Sequence, residues 1–182
     1  MLNGFIKVID YYRNISTDTY IMMLDASKAF DSVHRVKLFY VLFNRDLCPL
    51  IIKMLIHIYT NQKVFVKCGS KLSAEIKTTN GVKQEGILSP VLYTLYIDVL
   101  LLRIRKSGFG CHVGNVYTGC IGYADGVVLI TPTLYSLKYM LILCDQFGKE
   151  FCPISMLISI NFYIYRPQMK VELMGYILRE SS

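Results

Sequence analysis

The sequence lacks the closely spaced cysteines that mark small metal-binding and redox motifs. No two of its six cysteines have the two-residue gap of a zinc knuckle or a thioredoxin-like motif, and no cysteine stands at ligand spacing from the three histidines. We therefore expect no structural metal, and reduced, mostly buried thiols in an intracellular protein. The cysteines are at positions 48, 68, 111, 120, 144 and 152, and the histidines are His34, His57 and His112.

Long apolar runs are also absent. The longest charge-free apolar stretch, 151–165, contains Pro153 and is shorter than the roughly 20 residues that a membrane span needs. A secretory signal is not expected either, because Lys7, Asp10 and Arg13 interrupt the amino-terminal segment and no cleavage pattern follows. The sequence thus predicts a protein that is neither secreted nor membrane-spanning.

Acidic residues are few. The 182 residues include 13 Asp and Glu against 20 Lys and Arg, which gives a formal net charge of +7. A basic domain favours polyanionic partners, of which nucleic acid comes first and an acidic membrane surface second. The hydrophobic share of 53% is too high for a disordered chain, and the length suits one domain with a substantial core.

The segment 120–130 organises the rest of the chain. Two short apolar runs flank the pair Asp125-Gly126 in it. This pattern predicts a β-hairpin in which Asp-Gly takes the positive φ angles that a tight turn needs. The turn would present the Asp125 carboxylate at the edge of an apolar sheet. A turn without chemistry is the alternative interpretation.

A second carboxylate follows a run of apolar residues. Residues 20–24 are apolar throughout, which is typical of a strand buried on both faces, and Asp25 comes directly after them. Carboxylates at the carboxyl ends of such strands are common in functional sites, although an Asp can also cap a helix. Asp31 is the better cap, because it precedes an apolar helical pattern over 33–42 that includes Val36.

Apolar periodicity predicts the remaining elements of the chain. Helices are expected over 1–14, from Pro49 to Tyr59, from a Ser89 cap and Pro90 to about Arg105, and over 134–151. A strand is expected over 158–165, a last hairpin over 170–178, and another hairpin over 63–78 that carries Lys63, Lys67, Lys71 and Lys77. These lysines either protect a strand edge or follow a phosphate backbone, and both interpretations stay open.

A polar loop bracketed by glycines leads into the helix that starts near Pro90. It carries Lys83 and Gln84 between Gly81 and Gly86. Glycine lets a ligand approach the backbone closely, and the amino terminus of a helix favours a phosphate group. A simple connection between two elements explains the same pattern equally well.

Three of these segments, in this order, resemble motifs A, B and C of reverse transcriptases, and most closely those of non-LTR (LINE-like) retrotransposons. They are Leu24-Asp25-Ala26-Ser27-Lys28-Ala29-Phe30-Asp31, then Asn80-Gly81-Val82-Lys83-Gln84-Glu85-Gly86-Ile87-Leu88-Ser89-Pro90, then Tyr123-Ala124-Asp125-Gly126. The resemblance covers about 1–151. In addition, 170–178 is similar to the primer-grip strand of motif E.

The resemblance implies an α+β fold of the polymerase palm type, which is an antiparallel sheet backed by helices, with the fingers and the thumb largely missing. It implies a palm with motifs A, B and C over 1–151. It also implies a degenerate carboxy-terminal palm segment, similar to motif E, over 152–182. Residence in the nucleus or the cytoplasm follows from the same resemblance, whereas the sequence makes no prediction about the oligomeric state.

The reaction implied by the resemblance is RNA-directed DNA polymerisation. An RNA template, a DNA primer and deoxynucleoside triphosphates would be the partners, and a pair of Mg²⁺ ions, or Mn²⁺, the cofactor. Hard divalent cations prefer oxygen ligands, and paired metals stabilise the attacking and leaving oxygens of an in-line displacement. Asp25 and Asp125 would be catalytic as metal ligands, with the Ala26 carbonyl oxygen as a third ligand.

The resemblance also implies residues that bind the substrates. Phe30 would be the steric gate that packs under the sugar and excludes a ribose 2′-hydroxyl group. Gly81, Lys83 and Gln84 would belong to the loop that contacts the template base and the incoming nucleotide. Tyr123 would lie near the primer end.

Two departures from the family pattern predict an inactive or impaired polymerase. Gly126 stands where the family has a second motif C aspartate, so the site loses an anionic group that would help to hold the cations. Glu85 replaces a motif B glycine, which puts a negative side chain where nucleic acid approaches. A relic or a non-catalytic nucleic-acid-binding module that uses Lys63, Lys67 and Lys83 is the alternative.

Overall fold

A computed structural model describes residues 2–26, 29–83, 86–123, 126–151, 158–166 and 169–176. The helices in these ranges are α1 (Leu2–Asn14), α2 (Arg35–Phe43), α3 (Pro49–Thr60), α4 (Ser89–Lys106) and α5 (Leu134–Phe151). The strands are β1 (Thr19–Ala26), β2 (Lys63–Val64), β3 (Lys67–Cys68), β4 (Lys71–Leu72), β5 (Ile76–Lys77), β6 (His112–Val113), β7 (Val116–Tyr117), β8 (Cys120–Tyr123), β9 (Gly126–Thr131), β10 (Ile158–Arg166) and β11 (Met169–Tyr176). Within this described part, no helix is both long and apolar enough to cross a membrane.

A five-stranded antiparallel sheet in the order β11-β10-β1-β9-β8 forms the centre of the fold. Strand β1 lies in the middle, with Met22 and Leu24 buried on one face and Ile21 on the other; Met23 is exposed, so the predicted burial on both faces is confirmed only in part. It pairs with β9 from Tyr20 opposite Thr131 to Asp25 opposite Gly126. The sequence therefore predicted the type and the position of β1 correctly.

The two faces of the sheet pack against different helices, because alternate side chains of a strand point to opposite sides. On one face, Met22 and Leu24 of β1 belong to the main core, which includes residues of α2, α3, α4 and α5. On the other face, Ile21 packs in a smaller cluster with Tyr12 of α1. The Tyr12 hydroxyl group also donates to the His112 carbonyl oxygen at 3.0 Å and accepts from the His112 amide at 2.9 Å. Helix α1 is thereby attached to β6.

The carboxy-terminal strands belong to this central sheet. β10 pairs with the whole length of β1, from Thr19 opposite Tyr165 to Ala26 opposite Ile158, and β11 pairs with β10. The strand predicted over 158–165 is confirmed. The hairpin predicted over 170–178 is wrong, because Met169–Tyr176 is a single strand that pairs with β10. Residues 152–157 and 177–182 lie outside the described residues.

Two helix caps differ from the sequence prediction. The N-cap of α2 is His34, whose Nδ1 accepts a hydrogen bond from the Lys37 amide at 3.4 Å, and not Asp31. The N-cap of α4 is Leu88, and Ser89 is already the first helical residue. Residue type indicates a good cap, but tertiary packing decides at which residue the first turn begins.

The buried stripe of α2 is rotated from the predicted one. Val36 is 70% exposed, whereas Arg35, Leu38 and Leu42 are buried. A basic residue therefore occupies a core position of α2, where its donors need acceptors.

The five described cysteines all have free thiols. Cys111 and Cys144 are buried, and burial raises the pKa of each thiol to about 12. Cys48 and Cys68 are exposed. The expectation of free thiols is confirmed for the described cysteines, and the expectation of burial is confirmed only in part.

Candidate functional site

Asp25 lies near the end of β1 and opposite the start of β9. Its Cα partner on β10 is Ser159, and its partner on β9 is Gly126, which also pairs with Tyr123 across the β8–β9 hairpin. The predicted hairpin is confirmed, but Gly126 is part of strand β9 and not of the turn, because it takes part in the pairing with β1. Ala124 and Asp125, between Tyr123 and Gly126, lie outside the described residues. The candidate Asp125 is thus next in sequence to the residue that faces Asp25.

The Asp25 side chain lies on the face of the sheet opposite the main core. It alternates with Leu24 and shares its face with Ile21 and Met23, because side chains two positions apart lie on one face of a strand. Asp25 is exposed, and no described residue forms a hydrogen bond or an ion pair with its carboxylate. The carboxylate oxygens are therefore accessible to a ligand on this face.

The described donor atoms suit a hard cation in type but are few. Asp25 offers carboxylate oxygens, which Mg²⁺ prefers. Ala26 ends β1, and its side chain lies outside the described residues. Among the residues that the structure describes, no group of three or more His, Cys, Asp or Glu is placed to hold a metal ion. The predicted second carboxylate, Asp125, is not among these residues.

Two further predicted site residues, Phe30 and Gly81, are brought together by the backbone. The Gly81 amide donates to the Val33 carbonyl oxygen at 2.8 Å, and the Val82 amide donates to the Phe30 carbonyl oxygen at 2.8 Å. Segments that lie far apart in the sequence are thus joined in an antiparallel manner. The predicted gate residue and the predicted nucleotide loop consequently have a fixed relative position.

The ring of Phe30 is half-buried and packs against Tyr93 of α4. The two ring centroids are 5.2 Å apart, with the planes at 48°. Tyr93 itself is only 2% exposed, so it forms a rigid support. The backbone bond at the Phe30 carbonyl oxygen and this ring contact together restrict the side chain, as a gate would require; the gate role stays a prediction.

Gly81 is needed at its position for two reasons. Its φ is +82°, and an added Cβ would lie 3.0 Å from the Asp31 Cα and 3.1 Å from the Phe30 carbonyl oxygen. Both neighbours are backbone atoms, which cannot move aside as a flexible side chain can. The close approach between the two segments therefore depends on glycine.

We expect Gly81→Ala to lower the free energy of unfolding by more than about 2 kcal/mol. The strain of a side chain at positive φ and the clash of the added Cβ with backbone atoms both contribute to this loss. Gly69→Ala is the matched control: its φ is +59°, but a Cβ there would meet nothing within 4 Å. The control should lose only about 1 kcal/mol. Urea unfolding of both variants measures the difference, and equal losses would contradict the close approach.

Lys83 is the exposed basic residue of the loop. Its carbonyl oxygen accepts hydrogen bonds from the Gly86 amide at 3.1 Å and from the Ser89 hydroxyl group, so the loop folds back onto the start of α4. Lys83 borders a cavity of about 510 Å³ that Gln62 and Tyr59 also line. Gln84 and Glu85 lie outside the described residues, as does the side chain of Tyr123.

Arg35 is a residue that the sequence analysis missed. Its Nε donates to the Gly81 carbonyl oxygen at 2.8 Å, and Nη1 donates to the carbonyl oxygens of Tyr59 at 2.9 Å and Thr78 at 2.6 Å. Nη2 donates to the Thr78 hydroxyl oxygen at 3.1 Å, and the guanidinium carbon lies 5.3 Å from the centroid of the Tyr59 ring. Burial lowers the pKa of Arg35. The signal available in the sequence was the position of Arg35 one helical turn before Leu38, which is the spacing of residues on the same face of a helix.

Comparisons with known proteins agree with these motifs. The family described as reverse transcriptase (RNA-dependent DNA polymerase) matches residues 2–156. The chain is 33% identical over 122 residues to the Retrovirus-related Pol polyprotein from type-2 retrotransposable element R2DM of Drosophila melanogaster, covering 67% of this chain and 11% of that protein. It is 30% identical over 119 residues to the Pol polyprotein from the R2 element of Nasonia vitripennis, covering 65% and 12%. The chain spans 10% to 21% of the length of the curated relatives that it matches.

The fold is similar to that of solved telomerase structures from Candida tropicalis. The apo enzyme truncated from its C-terminal domain aligns with a TM-score of 0.63 and 13% identity, over 96% of this chain and 40% of that one. The enzyme bound to the TWJ fragment of telomeric RNA aligns with a TM-score of 0.62 and 13% identity, over 83% and 27%. This likeness establishes the mixed helical and antiparallel palm-type fold, while the family match and the retrotransposon relatives establish ancestry: the chain belongs to the reverse transcriptase family and is a reverse transcriptase domain of the non-LTR retrotransposon type.

Proposed function

We propose that this chain is the palm of an RNA-directed DNA polymerase, which adds deoxynucleotides to a primer 3′ end on an RNA template. One observation carries the proposal: the register of β1 and β9 pairs Asp25 with Gly126, the residue next to Asp125. Two carboxylates from distant parts of the sequence would then meet on an accessible face of the sheet. Pol polyproteins among the relatives, and a similar fold bound to telomeric RNA, support an RNA template as partner.

In this proposal Asp25, Asp125 and the Ala26 carbonyl oxygen hold Mg²⁺ or Mn²⁺. The metal, when bound, supplies charge stabilisation for the phosphoryl transfer. Phe30 restricts the sugar, while Gly81, Lys83 and Gln84 contact the template base and the nucleoside triphosphate, and Tyr123 lies near the primer end. The palm motifs cover 1–151, the degenerate segment covers 152–182, and the protein acts in the nucleus or the cytoplasm.

Gly126 favours a second candidate function. Without a carboxylate at this position the site has fewer anionic ligands, so a chain of polymerase ancestry could retain nucleic-acid binding and lose turnover. The net charge of +7 suits such a non-catalytic binding module. The two candidates differ in one measurable property, which is template-dependent incorporation.

Primer extension on an RNA template, with Mg²⁺ and separately with Mn²⁺, tests the proposal. The chain is compared with Asp25→Asn, which keeps the size of an exposed side chain and removes its charge. Weak incorporation by the chain and none by the variant is the expected result, because Gly126 impairs the site and the variant lacks a further anionic metal ligand. Equal incorporation by both would overturn the polymerase and leave the binding module.

A further inference from the structure

Residues 61–78, which we name the basic arm, form a narrow hairpin between α3 and the loop that carries Lys83. Its inner ladder joins β3 and β4, and its outer ladder joins β2 and β5. Between the ladders the Ser73 amide donates to the Val66 carbonyl oxygen, and the Val66 amide donates to the Ser73 hydroxyl oxygen, both at 2.9 Å. Every residue from 65 to 77 is exposed. The arm therefore extends from the core as a separate two-stranded ribbon.

The charge of the arm is unbalanced. It carries four lysines, of which Lys63 and Lys77 lie directly opposite each other across the outer ladder. Glu75 forms an ion pair with Lys63 at 2.9 Å, whereas Lys67, Lys71 and Lys77 form none with any described residue. Like charges on opposing strands are destabilising, so an anionic partner would stabilise this arrangement.

Apolar side chains on the arm are exposed beside the lysines. Phe65 is 49% exposed, Val66 57% and Leu72 68%. An isolated two-stranded hairpin is only marginally stable in water, and it gains from a partner that covers such groups. A single-stranded nucleic acid can contact both the lysines and the exposed aromatic ring, because its phosphates bind lysine and its bases stack on aromatic rings. An acidic membrane offers phosphates but no base to stack on Phe65.

The base of the arm is fixed next to the candidate site. Arg35 donates to the carbonyl oxygen of Tyr59, just before the arm, and to that of Thr78 at its end. Gln62 of the arm and Lys83 of the loop line the same cavity of about 510 Å³. A strand bound along the arm would therefore pass directly to Lys83.

We propose that the basic arm binds the phosphate backbone of single-stranded nucleic acid through Lys67, Lys71 and Lys77, with a base stacked on Phe65. That this strand is the RNA template rests on the function proposed above. The arm then acts as a contact outside the palm site that holds the strand leading to Lys83.

Binding of a labelled single-stranded RNA to the full chain, followed by fluorescence anisotropy over a range of salt concentrations, tests the proposal. The triple variant Lys67→Gln, Lys71→Gln and Lys77→Gln removes the charge. Releasing fewer counterions should reduce the salt slope by about 2 and weaken binding about 100-fold near 0.1 M salt. Phe65→Ala should weaken binding about tenfold with the salt slope unchanged, since stacking is uncharged.

Two matched variants separate the arm from general charge and from folding. The triple variant Lys67→Arg, Lys71→Arg and Lys77→Arg keeps the charge and should bind RNA with the affinity of the unmodified chain. The triple variant Lys7→Gln, Lys106→Gln and Lys138→Gln removes the same charge from exposed sites on α1, α4 and α5 and should change affinity less than about threefold. Thermal unfolding should show no loss of stability in any of these triple variants, because all the substituted side chains are exposed and Lys77→Gln removes a repulsion with Lys63.

Equal loss of RNA affinity in the arm and the distant Gln variants would overturn the proposal. So would an arm variant that binds RNA normally but loses binding to phosphatidylserine vesicles. Arm-dependent RNA binding without primer extension above the Asp25→Asn background would support the arm and refute the polymerase. Primer extension above that background, with no effect of the arm variants on RNA affinity, would support the polymerase and refute the role of the arm.

Discussion

Changing Gly126 to aspartate is expected to raise the Mg²⁺ affinity of the chain at least about tenfold. Gly126 is directly opposite Asp25 in the antiparallel pairing of β9 and β1. Side chains on directly opposed residues share a face, with Cβ atoms about 4.5–5.5 Å apart. The variant would therefore place two carboxylates within reach of one cation. Primer extension by the variant should exceed that of the unmodified chain for the same reason.

Thermal unfolding with and without MgCl₂ measures this effect. Without a divalent cation the two carboxylates repel, and Gly126→Asp should be less stable than the unmodified chain by up to about 1 kcal/mol. With Mg²⁺ at about 100 times its dissociation constant the variant should gain about 2.7 kcal/mol from binding. The order of stability of the two proteins is thus expected to reverse when the metal is added.

Two controls isolate the charge at position 126. Gly126→Asn has nearly the size of aspartate and no charge, so it should show no Mg²⁺-dependent gain beyond that of the unmodified chain. The double variant Asp25→Asn, Gly126→Asp should lose most of the gain, because one of the paired carboxylates is gone. If Mg²⁺ stabilised Gly126→Asn as much as Gly126→Asp, the hairpin would not be a metal site.

Local sequence patterns predicted most of the fold. The apolar run before Asp25 and the periodicity over 134–151 are contained in adjacent residues. Strand β1 was therefore predicted with a small error in its bounds, and α5 with the observed bounds. The pair Asp125-Gly126 was predicted to form the turn, but Gly126 belongs to strand β9, because a turn signal does not reveal that Gly126 pairs with β1. Pairing partners distant in the sequence decide such details.

The candidate site, too, was predicted only in part from the sequence. Motif order predicted that the segments of Asp25 and Gly126 come together, and the β1–β9 register agrees. The structure adds the backbone bonds from Gly81 and Val82 to the segment that contains Phe30. Main-chain amides and carbonyl oxygens occur at nearly every residue, so their pairing has no signature in the sequence.

Arg35 is the clearest case of a contact hidden from the sequence. Its acceptors are the carbonyl oxygens of Tyr59, Thr78 and Gly81, which are 24, 43 and 46 positions away. Three separate segments, the end of α3, the end of the basic arm and the loop of Lys83, are thus held by one side chain. A buried guanidinium without a carboxylate partner is stable only where fixed acceptors surround it.

We expect Arg35→Leu to lower the free energy of unfolding by about 3 kcal/mol, because buried carbonyl oxygens lose charged donors and remain without partners. Arg35→Lys should recover only part of this loss, since an ammonium group cannot reach acceptors on three segments in the forked geometry of a guanidinium group. Urea unfolding measures both values. Trypsin cleavage at the exposed lysines of the basic arm should also be faster in Arg35→Lys than in the unmodified chain, since the base of the arm is less firmly held.

Arg45→Leu is the matched control for Arg35→Leu. Arg45 forms an ion pair with Asp98 at the surface, where about a third of each side chain is exposed. Solvent screens such a pair, so its loss should cost less than about 1 kcal/mol and leave cleavage of the basic arm unchanged. Equal destabilisation by the two substitutions would contradict a structural role for the Arg35 hydrogen bonds. The opposite result would be a large loss of stability in Arg35→Leu, with cleavage of the arm faster in Arg35→Lys and unchanged in Arg45→Leu. It would identify Arg35 as the residue that positions the arm and the Lys83 loop together.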